Sequence, residues 1–217
     1  MHRFSARPRT WFCFAIALAL LAACGAPLLS LEPGARAFTP EDYEDVYSRW
    51  TRSARPYDFG RLATILNLTA TFEAREFRWA YVVRYGADFG LSTEARNALL
   101  AESLQDAGQH HRFFVTLGGA RPRELDLTDD RGAWRVLLLD DRGRQTRPIE
   151  IQHVRQPTPA ERRYFPSVST QRQAFRLVFP VMHQDGYPTL PREAAFATLR
   201  FTGSEGQVDL KWEFTHP

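Results

Sequence analysis

The stretch Val208-Asp209-Leu210-Lys211-Trp212-Glu213-Phe214 decides the fold class. Apolar and charged residues alternate strictly along it. That period of two puts every apolar side chain on one face, which is the pattern of an antiparallel strand with one dry and one wet side. Trp212, with Val208, Leu210 and Phe214, is expected to face a core, and Lys211 to face water. Upstream, from His111 onward, the chain repeats this texture in short β-rich runs divided by turn residues. Strands are expected at about 112–117, 123–128, 133–139, 147–154, 174–181, 195–202 and 207–214. Such density over roughly 100 residues matches a β-sandwich, immunoglobulin-like in strand spacing. Asp-Asp-Arg-Gly occurs at 129–132 and again at 140–143, each time between expected strands, and reads as one turn chemistry used twice. Pro157, Pro159 and Pro166 mark a longer irregular connection.

Toward the N-terminus helical periodicity takes over. Thr39-Pro40-Glu41-Asp42 supplies a capping hydroxyl, a proline for the first turn and acids for the positive helix end. Tyr43, Val46, Tyr47 and Trp50 follow at i, i+3, i+4 and i+7, so a helix over 39–54 carries one aromatic stripe. The stripe either docks onto the domain or meets a membrane or partner, and Tyr43, Tyr47 and Trp50 are the candidate interaction residues. Residues 62–72, rich in β-branched side chains, read as a strand. Residues 75–87 fit a helical face through Phe77, Ala80, Tyr81 and Tyr85, although Tyr81-Val82-Val83 also suits a strand; the helix is the expectation. A second helix runs from Leu91-Ser92 to Asp106 and stops at Gly108. Together these make an αα-hairpin inserted between strands. The whole is mainly β with helical additions, an α+β architecture.

The first ten residues carry Arg3, Arg7 and Arg9 and no acid, and residues 11–22, WFCFAIALALLA, are unbroken in apolarity. That run falls short of the roughly 20 residues a bilayer needs and suits the core of a signal peptide. It ends in Leu21-Ala22-Ala23-Cys24-Gly25. Here the sequence resembles the bacterial lipoprotein signal, whose lipobox reads Leu-Ala/Ser-Gly/Ala-Cys; all four positions match. The resemblance covers about the first 25 residues. It implies cleavage before Cys24, diacylation of its thiol and acylation of the new amine, and several chains are what stable anchoring requires. Aspartate after the cysteine resembles an inner-membrane retention signal; Gly25 stands there instead, so in a Gram-negative source the outer membrane is the implied destination. The order of segments that follow is similar to that of uncharacterised bacterial lipoproteins, a likeness that carries no functional residue over. The implied organisation is a signal peptide over 1–23, a tether over 24–38 with Pro27 and Pro33, and a single domain over 39–217. Helices and one strand occupy 39–108, and the sandwich core 109–217.

On that reading the charge is informative. The chain has 28 basic and 25 acidic residues, and removing Arg3, Arg7 and Arg9 leaves 25 against 25. A near-neutral mature protein gives no sign of nucleic-acid binding. Cys13 leaves with the signal and Cys24 takes lipid, so no thiol remains for a disulfide, a cysteine nucleophile or a zinc finger. With about 180 residues after the tether, a hydrophobic core suffices.

Motifs for chemistry are sparse: G-x-S-x-G, the P-loop, G-x-G-x-x-G and H-E-x-x-H are all missing. His110-His111 point to opposite faces of a strand and cannot chelate together. His183 and Asp185, with His153, offer a zinc reading, and Asp129, Asp130, Asp140 and Asp141 a calcium reading; loop polarity and hairpin turns explain them better. Arginines cluster at 121–123, 142–147 and 162–163 and pair most simply with acids on solvated strand faces; Lys211 is the sole lysine. No metal or cofactor is expected. The sequence thus points to a lipid-anchored envelope protein, a non-catalytic binding or structural module held to the membrane by its lipid and meeting an envelope partner. The alternative is an envelope hydrolase or carbohydrate-active enzyme on the same scaffold.

Overall fold

A computed structural model describes residues 29–31, 37–58, 63–119, 121–129 and 131–215. In chain order the elements are α1 (Tyr43–Trp50), β1 (Thr51–Ala54), β2 (Tyr57–Asp58), β3 (Ala63–Thr64), β4 (Asn67–Phe72), α2 (Arg75–Asp88), α3 (Thr93–Ala107), β5 (His110–Gly118), β6 (Trp134–Leu139), β7 (Gln145–Thr146), β8 (Glu150–His153), α4 (Pro159–Tyr164), β9 (Gln173–Pro180), β10 (Phe196–Gly203) and β11 (Gly206–Glu213). Strands β1-β4-β5-β9-β8 form one antiparallel sheet, β11-β10-β6-β7 a second, and β2-β3 a small third. The expected α+β, β-sandwich-like architecture with an inserted helical hairpin is what the chain adopts.

The deciding strand behaves as its pattern demands. Val208, Leu210 and Trp212 of β11 are buried, and Asp209 and Lys211 face solvent. Register against β10 pairs Phe201 with Val208, Leu199 with Leu210 and Ala197 with Trp212, so the apolar rows coincide. Gly203 closes this hairpin where β10 passes β6 so tightly that a Cβ would lie 1.7 Å from the Ala133 carbonyl oxygen. Across the sandwich Trp212 meets Phe72 and Phe113 at 6.2 and 5.4 Å, and its Nε1 donates to the Trp50 carbonyl at 2.9 Å.

The central strand β5 is buried on both faces, which explains its run Phe113-Phe114-Val115. Phe113 faces the second sheet, while Phe114 stacks on Phe165 at 4.0 Å on the helical side. There Tyr43, Phe77, Tyr81 and Tyr164 form an aromatic layer, with the Tyr43 hydroxyl donating to the Tyr164 carbonyl at 2.6 Å. The order is helices, five-stranded sheet, four-stranded sheet.

Four local expectations differ from the structure. The first helix ends at Trp50, and 51–54 is a strand, because Thr51 and Ser53 pair with β4 and form hydroxyl bonds to Thr71 and Thr69 at 2.8 and 3.0 Å. The expected strand at 123–128 contains instead a 3₁₀ turn, Pro122–Leu125, followed by an Asp126 carboxylate that accepts from the Thr128 amide at 2.9 Å. Proline opens that turn and the aspartate replaces ladder bonds with its own. The strand expected at 147–154 is shortened to β8, Glu150–His153, and starts only after Pro148, in the connection from β7 of the other sheet. The stretch at 62–72 is divided into β3 and β4, which belong to different sheets. Leu29, inside the stretch assigned to the tether, is buried and bridges Phe214 in parallel fashion, its carbonyl accepting the Thr215 amide at 2.6 Å. Cys24 and the rest of the signal lie outside the described residues. Among those residues no helix is long and apolar enough to cross a membrane.

Candidate functional site

Three segments distant in sequence meet at one end of the five-stranded sheet. They are the β4–α2 junction (Phe72, Glu73, Ala74, Arg75), the α3–β5 junction (Ala107, Gly108, His110, His111) and the loop between β9 and β10 (Val181 to Glu193). Between them lies a half-open cleft of about 490 Å³, to which Leu31 adds an apolar wall. The loop is held by short backbone bonds: Val181 donates to the Gln109 carbonyl at 3.0 Å and Thr189 to the Val181 carbonyl at 2.8 Å. Met182 bridges Pro188 and is half exposed.

An ion network borders the cleft. The Asp106 carboxylate, at the end of α3, accepts two bonds from Arg112 (2.7 and 2.8 Å), one from Arg78 (2.6 Å), and pairs with His110 Nδ1 at 2.9 Å. These bonds, foremost those from Arg112, hold the Asp106 carboxyl well below the usual carboxylate range despite its partial burial. Arg78 is buried and also donates to the carbonyls of Glu73 and Ser103 at 2.7 and 3.0 Å, so one guanidinium ties α2 to α3 and to the β4–α2 junction. His111 is the neighbour with the opposite tendency. Burial, then the charges of Arg78 and His110, lower its imidazole to about 4, so it is neutral at pH 7. Its Nε2 is buried without a hydrogen-bond partner, and its ring meets Phe72 edge-on at 5.8 Å.

Arg75 is half-buried in the same cleft and makes no hydrogen bond or ion pair among the described residues. It opens α2, whose N-cap is Ala74 and whose first turn receives no side-chain cap. First-turn N–H groups point back along the helix axis, here toward Glu73 and Ala74 on the cleft wall, and bring the positive end of the helix dipole with them. The acids nearby are engaged elsewhere. Glu73 pairs with Arg176 at 3.4 Å, and Glu193 on the rim lies 4.0 Å from Arg142. The cleft therefore combines apolar walls with Arg75, a guanidinium that no carboxylate among the described residues pairs.

The sequence-derived candidates fall elsewhere. Trp50 is fully buried, donating from Nε1 to Glu76 at 2.7 Å, and Tyr43 is buried in the aromatic layer. Tyr47 is partly buried against Phe165. The stripe thus docks onto the domain, and Tyr43 and Trp50 have no surface to offer a partner. His110 and His111 do part company, one to Asp106 and the other to Phe72. His183 bonds Thr146 at 3.0 Å, Asp185 pairs with Arg144, and His153 stacks on Phe175 at 4.6 Å. Asp129, Asp140 and Asp141 accept backbone N–H bonds from Arg131, from Arg142 and Arg144, and from Ala195. Among the described residues no group of three metal-ligating side chains converges. Arg75 was not singled out by any motif, since an arginine after a strand has no pattern until its neighbours are known. Comparison with protein-family models, with curated proteins and with solved structures finds no match to this chain.

Proposed function

We propose that the chain is a lipid-anchored protein of the bacterial outer membrane whose sandwich domain works as a non-catalytic binding module. The observation that carries this reading is the ending of the apolar run, Leu21-Ala22-Ala23-Cys24, after three arginines. The packing of Leu29 supports it. Leu29 lies only five positions after Cys24, a reach of at most about 18 Å, so an acylated Cys24 would hold the end of β11 near the bilayer surface. Leu31 lines the cleft, and the cleft would open close to the same surface. Its apolar walls around an arginine without a counter-ion suit recognition of a ligand.

Changing Cys24 to alanine tests the anchor. Wild type is expected to enter the detergent phase on Triton X-114 partitioning, with an N-terminal peptide carrying three acyl chains by mass spectrometry. The Cys24→Ala chain is expected to remain unprocessed and unacylated. Equal acyl-free masses for the two, with a mature start at another residue, would refute the lipoprotein reading.

A further inference from the structure

We propose that the cleft binds a small amphiphile with a single anionic head, with Arg75 and the uncapped start of α2 taking the head and Leu31, Phe72, Met182 and Leu190 taking the apolar part. This rests on reading the domain as a binding module and names the class of its ligand. Two features agree on the sign of the charge, and a third marks an unfilled polar position beside them. Arg75 is half-buried with no partner among the described residues, and a guanidinium is the side chain best shaped to clasp a carboxylate or phosphate. The first turn of α2, a helix of 14 residues, has no side-chain cap, and its free N–H groups are the usual seat of an anion. His111, on the same wall, carries a buried Nε2 without a partner, a polar atom left for a ligand to meet. The carboxylates at hand do not serve: Glu73 is committed to Arg176 and Glu193 stands on the rim beside Arg142.

The remaining walls set the rest of the ligand. Phe72 and Leu190 are core residues that show an edge to the cleft, Leu31 packs on the core, and Met182 stands half exposed at the mouth. A methionine there adapts to chains of differing shape. The cleft's volume of about 490 Å³ accommodates a small molecule and excludes a folded partner. The head group has two possible sources, a free carboxylic acid and an anionic membrane lipid, and both present one charged group on an apolar tail.

The experiment uses the full acylated chain in phosphatidylcholine nanodiscs, with ¹³C-labelled histidine, and octanoate as probe. Octanoate is expected to move the His111 ring resonances saturably, whereas octanol binds about tenfold or more weakly. Arg75→Gln is expected to weaken octanoate binding about tenfold with an unchanged melting temperature. Met182→Glu, a change at an exposed position, is a second variant expected to repel the same probe. In a second arm without octanoate, exchanging phosphatidylcholine for phosphatidylglycerol moves the same resonances if the head comes from membrane lipid, and leaves them still if it is a free acid. His111 resonances unmoved by about 10 mM octanoate and by phosphatidylglycerol alike would overturn the proposal, as would octanol matching octanoate or both variants binding like wild type. An acylated chain that fails to bind removes this site alone; a non-acylated chain that binds removes the anchor alone.

Discussion

Replacing Trp212 with alanine removes a side chain that touches both sheets and the first helix. The indole is fully buried, packs on Phe72 and Phe113, and donates from Nε1 to the carbonyl of Trp50. Truncating a buried tryptophan costs about 3–5 kcal/mol through lost burial and the cavity left behind. Leaving the Trp50 carbonyl dry and without its donor adds roughly 1–3 kcal/mol. Water admitted to the cavity recovers part of that, so the expected loss is about 4–6 kcal/mol, a large share of the 5–15 kcal/mol typical of a folded domain. Trp212→Phe separates the two contributions, keeping most of the ring and losing only the donor, at about 1–3 kcal/mol. The neighbouring Lys211→Ala removes an exposed pair with Glu213 and an ammonium 4.0 Å from the Phe196 ring, and is expected to cost less than about 1 kcal/mol. Urea unfolding of the full chain, followed by far-ultraviolet circular dichroism, measures all three. Costs for Trp212→Ala and Lys211→Ala within about 1 kcal/mol of each other would refute the assigned register, since a one-residue slip exchanges their faces.

Trp50→Ala is expected to destabilise by about 3–5 kcal/mol, because its ring is wholly enclosed and its Nε1 holds Glu76; unchanged thermal melting would return the helix stripe to the surface. Acid stability is expected to fall in two windows. His111 is lowered to about 4 when folded, so the unfolded chain alone takes up its proton as pH drops from about 6.5 to about 4, and up to roughly 3 kcal/mol is lost there. Asp106, depressed chiefly by Arg112, contributes stability that is present above about 4 and lost below it. His111→Phe should flatten the first window and Asp106→Asn the second, as read from unfolding midpoints across pH; slopes identical to wild type would show that these groups titrate alike in both states.

How far the fold was legible depended on whether each signal was local. The alternation at 208–214 is a property of seven adjacent residues, and it survives because β10 supplies a matching row. The helix over 43–50 and the hairpin after it were legible for the same reason: spacing alone carries them. The strand at 51–54 was not, because Thr51-Arg52-Ser53-Ala54 has no alternation of its own. It extends only because hydroxyls of β4 lie opposite Thr51 and Ser53, across a gap in sequence that no window spans. The same holds at Pro148, a residue with no N–H to give a ladder, after which the expected strand begins only at Glu150.

The candidate site was illegible for a stricter reason. Aromatic residues at helical spacing attract notice, yet Tyr43 and Trp50 mark what is hidden, since large rings contribute most when fully buried. What marks the cleft is a charge whose partner is missing, and that is a relation between segments near residues 75, 110 and 190. A sequence near neutral overall conceals it, for many of its arginines meet acids: Arg78 and Arg112 at Asp106, Arg84 at Asp88 and Glu44, Arg176 at Glu73 and Glu161, Arg200 at Asp209. Against that background of satisfied pairs Arg75 is the exception within the cleft. The network at Asp106 sharpens it, since fixing Arg78 and Arg112 there keeps two guanidinium charges beside the cleft without spending either on a ligand. Neutralising Asp106 would loosen Arg112, while Arg78 keeps its bonds to the Glu73 and Ser103 carbonyls, and the loss of that negative charge would raise the positive potential an anion meets at Arg75.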